Sequence, residues 1–170
     1  WIDRKQGKYL LAARYLEEAR DRGFPPERRS AGLLMLSESL LRSRQFPACR
    51  LALQEALEAA PEQTARVQQL LATAYLEDAD PDLEKALQHN QAFLEAGSLD
   101  PETRHAGLLQ QAKILYRMNQ TAAAAQALQG IPDGSLLRSE RMVLDARLGI
   151  AEARARSAAT QTGEPASAES

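Results

Sequence analysis

Two histidines and one cysteine are the side chains of this sequence best suited to catalysis or metal binding. His89 and His105 lie in different segments, and neither belongs to an H-E-x-x-H pattern that would hold zinc on one helix face. The single cysteine, Cys49, has no partner for an internal disulfide and cannot build a cysteine cage for a metal. It stands where a helical pattern repeats a small residue. The sequence therefore predicts a core cysteine and two polar histidines at helix surfaces or helix ends.

A run of acidic residues is the next candidate site. Asp78, Asp80 and Asp82 have the spacing with which a calcium-binding loop begins. Such a loop needs glycine at its sixth position and glutamate at its twelfth, where this chain has Leu83 and His89. The sequence instead predicts a solvent-exposed turn whose acidic residues favour the N-terminus of the following helix. We expect no cofactor and no metal, and the chain has no glycine-rich phosphate loop.

Charge and composition narrow the class of partner. The 170 residues include 21 basic and 23 acidic side chains, so the net charge is −2. This balance leaves no sequence-wide basic excess for nucleic acid or for an anionic membrane surface. The basic residues near the C-terminus alternate with acidic ones, which is typical of a charged helix surface. No uncharged stretch reaches the roughly 18 apolar residues of a spanning helix, so direct membrane insertion is not expected.

A helical repeat runs through most of the chain. Four segments place a small residue at intervals of 37, 37 and 38 positions: Ala12, Cys49, Ala86 and Ala124. Four and seven positions beyond each of these, the same stripe continues with Leu16, Leu53, Asn90 and Leu128, then Ala19, Ala56, Phe93 and Ile131. Recurrence at i, i+4 and i+7 marks one face of an α-helix. Four helices with one apolar face each are therefore predicted, with Asn90 as the polar exception.

Four more amphipathic segments alternate with these helices. They cover residues 33–40, 67–74, 108–115 and 142–150, and the last has an apolar stripe of Met142, Val143, Ala146 and Ile150. Asp100 before Pro101 predicts a helix N-cap, and Asp80 before Pro81 predicts another. The sequence thus predicts an all-α chain of about eight helices in consecutive antiparallel pairs. Residues 157–170 lose the pattern and are expected to form a disordered polar tail.

These residues resemble tetratricopeptide (TPR) repeats. The best match, near 30–63, has Leu33, Leu36 and Leu40 in its first helix and Phe46, Cys49, Leu53, Ala56 and Pro61 at the family's positions in the second. Further repeats fall near 65–98 and 105–133, with the second helix of a partial repeat at 5–22 and a partial repeat at 136–156. The resemblance implies a right-handed α-solenoid over residues 1–156, because each helix pair buries its apolar face against the next.

The resemblance also implies a binding surface. In TPR proteins the first helix of each pair lines a concave groove that holds an extended peptide or a partner's helix. Register places the following side chains there: Glu38, Arg42, Gln69, Thr73, Lys113, Tyr116 and Arg147, with Leu41, Arg66, Leu109 and Arg117 beside them. The family's clamp for a terminal carboxylate uses amides and cations, whereas this groove has Glu38 and Thr73 at those positions. The resemblance therefore does not favour capture of a C-terminal carboxylate. The alternative is that these residues are ordinary solvated helix positions.

Two functions stay open at this point. The first is a non-enzymatic scaffold that binds a protein or peptide in the groove and does not bind nucleic acid. The second is a structural spacer or self-assembly segment of a larger protein, such as a bacterial envelope or secretion protein. In that case the chain could also contact upstream repeats of its own parent protein. Arginine greatly outnumbers lysine, a bias that is typical of a GC-rich bacterial genome. The compartment stays unknown, with the bacterial cytoplasm and the periplasm both open for a soluble chain. Variants in the groove distinguish the two functions.

Overall fold

The structure, a computed structural model, describes the backbone of residues 2–59, 61–97 and 99–162. Side chains are described for residues 5–59, 62–97 and 99–158. The chain divides into two compact units, unit 1 (Trp1–Leu99) and unit 2 (Asp100–Ser170).

The described backbone contains eight α-helices and no strand, which confirms the all-α prediction. Unit 1 has α1 (Ile2–Asp21), α2 (Arg29–Arg42), α3 (Phe46–Ala59), α4 (Thr64–Leu76) and α5 (Leu83–Glu95). Unit 2 has α6 (Pro101–Arg117), α7 (Thr121–Gln129) and α8 (Arg138–Thr162). Short 3-10 turns at Pro26–Arg28 and Pro61–Gln63 precede α2 and α4. Among the described residues, no helix is both long enough and apolar enough to cross a membrane.

Unit 1 is built from sequential helix contacts. Each of its helices contacts the next, and α2 also contacts α4. The core between α2, α3 and α4 is made of fully or almost fully buried side chains, of which the larger ones are Leu33, Leu36, Leu40, Phe46, Cys49, Leu53, Val67, Leu70 and Leu71. Each large aliphatic chain in this layer stabilises the fold by about 1.5–3 kcal/mol through burial.

The repeated small residues are buried, with one change of register. Cys49, Ala86 and Ala124 are all fully buried, as the repeat predicts. In α1, however, the fully buried residue is Ala13, and Ala12 is half-buried. Packing of α1 against α2 sets this face, which is centred one residue further along the helix than the repeat predicts.

Local sequence signals account for the helix starts. Asp100 caps α6, accepting a hydrogen bond from the Thr103 amide at 3.0 Å, and Pro101 occupies the first helical position. The cap of α5 is Asp82, which accepts from the Lys85 amide at 3.0 Å. The sequence placed this cap at Asp80, two residues too early, because the proline there belongs to the turn and not to the helix.

Unit 2 packs α6 against α7 and α8, and α7 against α8. Its buried apolar side chains are Leu109, Ala112, Ile114, Leu115, Ala124, Leu128, Ile131, Leu144 and Leu148. The α8 stripe predicted to face the core does not. Met142, Val143 and Ile150 are each 54% exposed, whereas Leu144 and Leu148 are 5% and 2% exposed. Because α8 has apolar residues on two opposite sides, periodicity alone selected the wrong side.

Helix α8 also ends later than expected. The sequence predicts a disordered tail from residue 157, but the backbone of residues 157–162 continues the helix to Thr162. The composition of the segment explains the difference, since alanine is the strongest helix former and recurs from Ala151 to Ala159. The remaining tail residues, 163–170, lie outside the described part of the chain.

Candidate functional site

A groove of about 490 Å³ opens in unit 1 where α1, α2 and α4 meet. Its lining comes from the start of α1, the second half of α2 with the turn after it, and one face of α4: Lys5, Gln6, Tyr9, Glu38, Leu41, Arg42, Arg44, Arg66, Leu70, Thr73 and Glu77. The α4 members recur at i, i+4, i+7 and i+11, so they share one side of that helix. Packing of α2 against α4 brings the two helical rows together.

The floor of the groove is apolar. Leu70 is 6% exposed and belongs to the core, while Tyr9 and Leu41 are half-buried. The Arg42 guanidinium lies 5.4 Å from the centre of the Tyr9 ring, a cation–π contact that holds the ring against the α2 side. Tyr9, Leu41 and Leu70 form a small apolar surface that a partner's side chain can cover.

Charged and polar groups surround this floor. Arg66 donates to the Glu38 carboxylate at 2.7 Å and to the Gln69 amide oxygen at 2.8 Å. Thr73 donates its hydroxyl to the Gln69 carbonyl oxygen at 3.0 Å. The Glu38–Arg66 pair is partly exposed and adds little to stability, about 0–1 kcal/mol. Its main effect is to link α2 to α4 and to fix the orientation of the polar wall.

The predicted groove residues divide between the two units. Glu38, Arg42 and Thr73 line the unit 1 groove, and Gln69 is attached to its wall through Arg66. The other three belong to unit 2: Lys113, whose ammonium lies 2.9 Å from Glu140, the half-buried Tyr116 and the exposed Arg147.

Sequence reasoning missed several residues of the groove. Lys5, Gln6 and Tyr9 were assigned to a second helix of a pair, which by family register lies away from the concave side. Arg44 and Glu77 lie just after the ends of α2 and α4, beyond the helix positions that the register assigned to the groove. The signal that could have revealed Arg44 is the abrupt end of α2 without a glycine, because such turns need a residue that adopts positive φ.

A second polar cluster lies between α3, α4 and α5. The Tyr75 and His89 rings stack with centres 5.4 Å apart, and the Arg50 guanidinium lies 4.9 Å from the Tyr75 ring centre. His89 shares a 2.6 Å hydrogen bond with Gln68, and burial lowers the pKa of its imidazole. Arg50 also pairs with Asp78 at 2.6 Å. His89 is therefore a half-buried helix residue whose ring packs against Tyr75.

The acidic run has structural roles. The Arg50 hydrogen bond lowers the pKa of Asp78, and hydrogen bonds from the Lys85 amide and ammonium lower that of Asp82. Both carboxylates thus prefer the charged form and hold the turn between α4 and α5. Across the described side chains, no group of three or more histidine, cysteine or acidic residues could hold a metal ion.

Serine, glutamate and histidine meet at the start of α6. Ser135 donates its hydroxyl to the Glu102 carboxylate at 2.9 Å, and the Leu136 amide donates to the same oxygen at 3.3 Å. The Nδ1 atom of His105 lies 3.5 Å from the other Glu102 oxygen, and its side chain is 13% exposed, so this histidine is more buried than predicted. The serine hydroxyl points to a carboxylate and not to the imidazole. This arrangement ties the turn before α8 to α6 and lacks a base on the serine.

Cys49 is the one thiol of the chain. It is fully buried at the crossing of α2 and α3, and its Sγ donates to the Ser37 carbonyl oxygen at 3.3 Å. Burial raises the pKa of this thiol to about 12. Because the thiolate is the nucleophilic form, Cys49 is a packing residue, as the sequence predicted.

No protein-family model, no curated protein and no solved structure matches the chain.

Proposed function

We propose that this chain is a non-enzymatic protein-binding scaffold that holds a peptide segment of its partner in the unit 1 groove. The observation that carries the proposal is an apolar floor, made by Tyr9, Leu41 and Leu70, beneath a rim of charged side chains on three packed helices. We also propose that each unit is a stretch of right-handed, TPR-like solenoid. In its favour, α2 contacts α4 and α6 contacts α8, as the first helices of successive pairs do in such repeats.

The dimensions of the groove suit this role. Its volume falls within the roughly 300–1,000 Å³ of ligand sites, which are typically apolar with a few placed polar groups. The side chains stand on helices that are held by a common core, so little ordering is needed when a ligand binds. In unit 2, Lys113, Tyr116 and Arg147 remain candidate partner contacts, to be tested by their own variants.

A peptide selection tests the proposed function. A random-peptide library is displayed on phage and selected on the immobilised full chain. The same library is selected on a floor variant, Tyr9→Ser with Leu41→Ser, and on a matched control, Leu10→Ser with Leu51→Ser. The control leucines are exposed residues of α1 and α3 outside the groove. Circular dichroism first establishes that all three proteins have equal helix content.

The outcome separates binding from a spacer role. We expect peptides that are retained by the wild type and the control and lost on the floor variant. Peptides retained equally by all three proteins, or none enriched on the wild type, would contradict binding in this groove.

Self-assembly through α8 is the second candidate function. Eight residues on the side of α8 opposite Leu144 and Leu148 are exposed and uncharged: Ser139, Met142, Val143, Ala146, Gly149, Ile150, Ala153 and Ser157. The small members allow a second helix to approach closely. A second copy of the chain offers the same uncharged surface, so two α8 helices can pair without placing a charge between them. Mass measured as a function of concentration tests this candidate.

A further inference from the structure

The rim of the unit 1 groove has more positive than negative charge. Four of its lining residues are cationic, Lys5, Arg42, Arg44 and Arg66, and two are acidic, Glu38 and Glu77. One pair of opposite charges is internally satisfied, because Arg66 binds Glu38. Among the described residues, Arg42 and Arg44 form no ion pair, and each guanidinium lies over an aromatic ring instead. The positive charges of Arg42 and Arg44 are therefore available to an anionic partner.

Arg44 occupies a backbone position that does not suit arginine. It follows α2 with φ of 63°, in the left-handed region. Its amide donates to the Leu41 carbonyl oxygen at 3.0 Å, and the Gln45 amide donates to that of Leu40 at 2.8 Å. This is the Schellman turn, in which glycine is the usual residue and asparagine the next best. A β-carbon makes the left-handed conformation unfavourable for arginine.

Unit 2 contains the same turn with a suitable residue. Asn119 follows α6 with φ of 60°, its amide donates to Tyr116 at 3.0 Å, and the Gln120 amide donates to Leu115 at 2.9 Å. Two turns with the same geometry thus differ at the left-handed position, and the arginine stands in the one that borders the groove. Its guanidinium lies 5.5 Å from the Phe46 ring centre, which directs the charge without neutralising it.

We infer that the unit 1 groove binds an acidic peptide segment, with one apolar side chain on the floor and flanking carboxylates on Arg42 and Arg44. This inference rests on the proposed function and specifies the partner's chemistry. In this inference Arg44 serves the ligand, because asparagine or glycine would adopt its backbone conformation more readily. A peptide is favoured over nucleic acid because the floor accepts an apolar side chain and the whole chain has a net charge of −2.

Fluorescence anisotropy with defined probes tests the charge preference. Three labelled synthetic peptides share one central leucine and differ only in their flanks, which are Asp/Glu, Asn/Gln or Lys/Arg. A labelled single-stranded oligonucleotide is the fourth probe. We expect the acid-flanked peptide to bind most tightly, and its affinity to fall as NaCl rises from about 0.05 to about 0.5 M.

Arg44→Asn tests the assigned residue. We expect about three- to tenfold weaker binding of the acid-flanked peptide and an unfolding midpoint equal to or above that of the wild type. Arg44→Lys should retain most of the affinity. The matched control is Arg28→Asn, which removes an exposed cation at the other end of α2, about 20 Å away, and should leave binding unchanged.

The possible results overturn different claims. Tighter binding of the neutral or basic peptide, or of the oligonucleotide, would overturn the acidic preference and leave a floor-dependent groove standing. Absence of binding by every probe would also overturn it, and the library selection then decides the proposed function by itself. If Arg44→Asn lowers the unfolding midpoint and leaves the affinity for the peptide unchanged, then Arg44 serves the fold alone.

Discussion

Helix α8 offers two aliphatic residues that distinguish its buried side from its exposed side. Leu148 is 2% exposed and Ile150 is 54% exposed, and two positions on a helix are about 200° apart around its axis. Leu148→Ala removes a fully packed side chain and leaves a cavity. We expect it to lower the free energy of unfolding of unit 2 by about 3 kcal/mol.

Ile150→Ala is the matched change on the opposite side. Less than half of the isoleucine side chain is buried, so the lost burial amounts to about 1 kcal/mol or less. Alanine regains a few tenths of a kcal/mol, about 0.4, through its higher helix propensity. The two variants should therefore differ by at least about 2 kcal/mol in the stability of unit 2.

Urea denaturation followed by circular dichroism measures the difference. With an m-value of about 2 kcal/mol per M, Leu148→Ala should lower the midpoint by about 1.5 M, and Ile150→Ala by less than about 0.5 M. Hydrogen exchange read by mass spectrometry over residues 101–150 assigns the change to unit 2. A larger loss for Ile150→Ala would refute this orientation of α8 and restore the side predicted from periodicity.

Three further changes have equally direct outcomes. Burial lowers the pKa of His89, which lies near Asp82 and Lys85, so below about pH 6.5 the unfolded chain binds a proton that the native chain excludes. The stability of the fold should therefore decrease as the pH is lowered. Thermal melts at about pH 7.5 and about pH 5.5 measure this decrease, which should be smaller in H89Q. The pKa of Cys49 is raised to about 12, so its labelling by a thiol reagent should be slow in the native protein and rapid in urea, and rapid native labelling would contradict its burial. If α8 mediates self-assembly, Ile150→Glu should abolish any rise of mass with concentration, and an unchanged rise would exclude this surface.

Much of the helical architecture could be predicted from local signals. The interval between Cys49, Ala86 and Ala124 reports helix crossings that need small residues, and all three are buried. Asp100 followed by Pro101 is a start signal that depends only on the first turn of the helix. Such features depend on neighbours in the sequence, so one chain is enough to read them.

Other features depend on packing that periodicity does not specify. The α8 stripe from Met142 to Ile150 is as regular as the row that contains Leu144 and Leu148. Only the contacts of α8 with α6 and α7 determine which of the two rows is buried. Tyr9 belongs to the groove because the start of α1 lies beside α2 and α4, a tertiary fact. The ring stack of His89 was missed for the same reason, since it joins α5 to α4. Arg44 was missed because its left-handed turn lacks the glycine that usually marks such a turn.

The most direct test of the account locates a bound peptide on the chain. A peptide from the library selection is synthesised with a photoreactive benzophenone in place of its central apolar side chain. It is crosslinked to the full chain, and the attached residues are identified by mass spectrometry. We predict crosslinks at Tyr9, Leu41 and their neighbours in the unit 1 groove, and their loss in the floor variant. Crosslinks confined to unit 2 or to helices α3 and α5 would contradict binding in this groove.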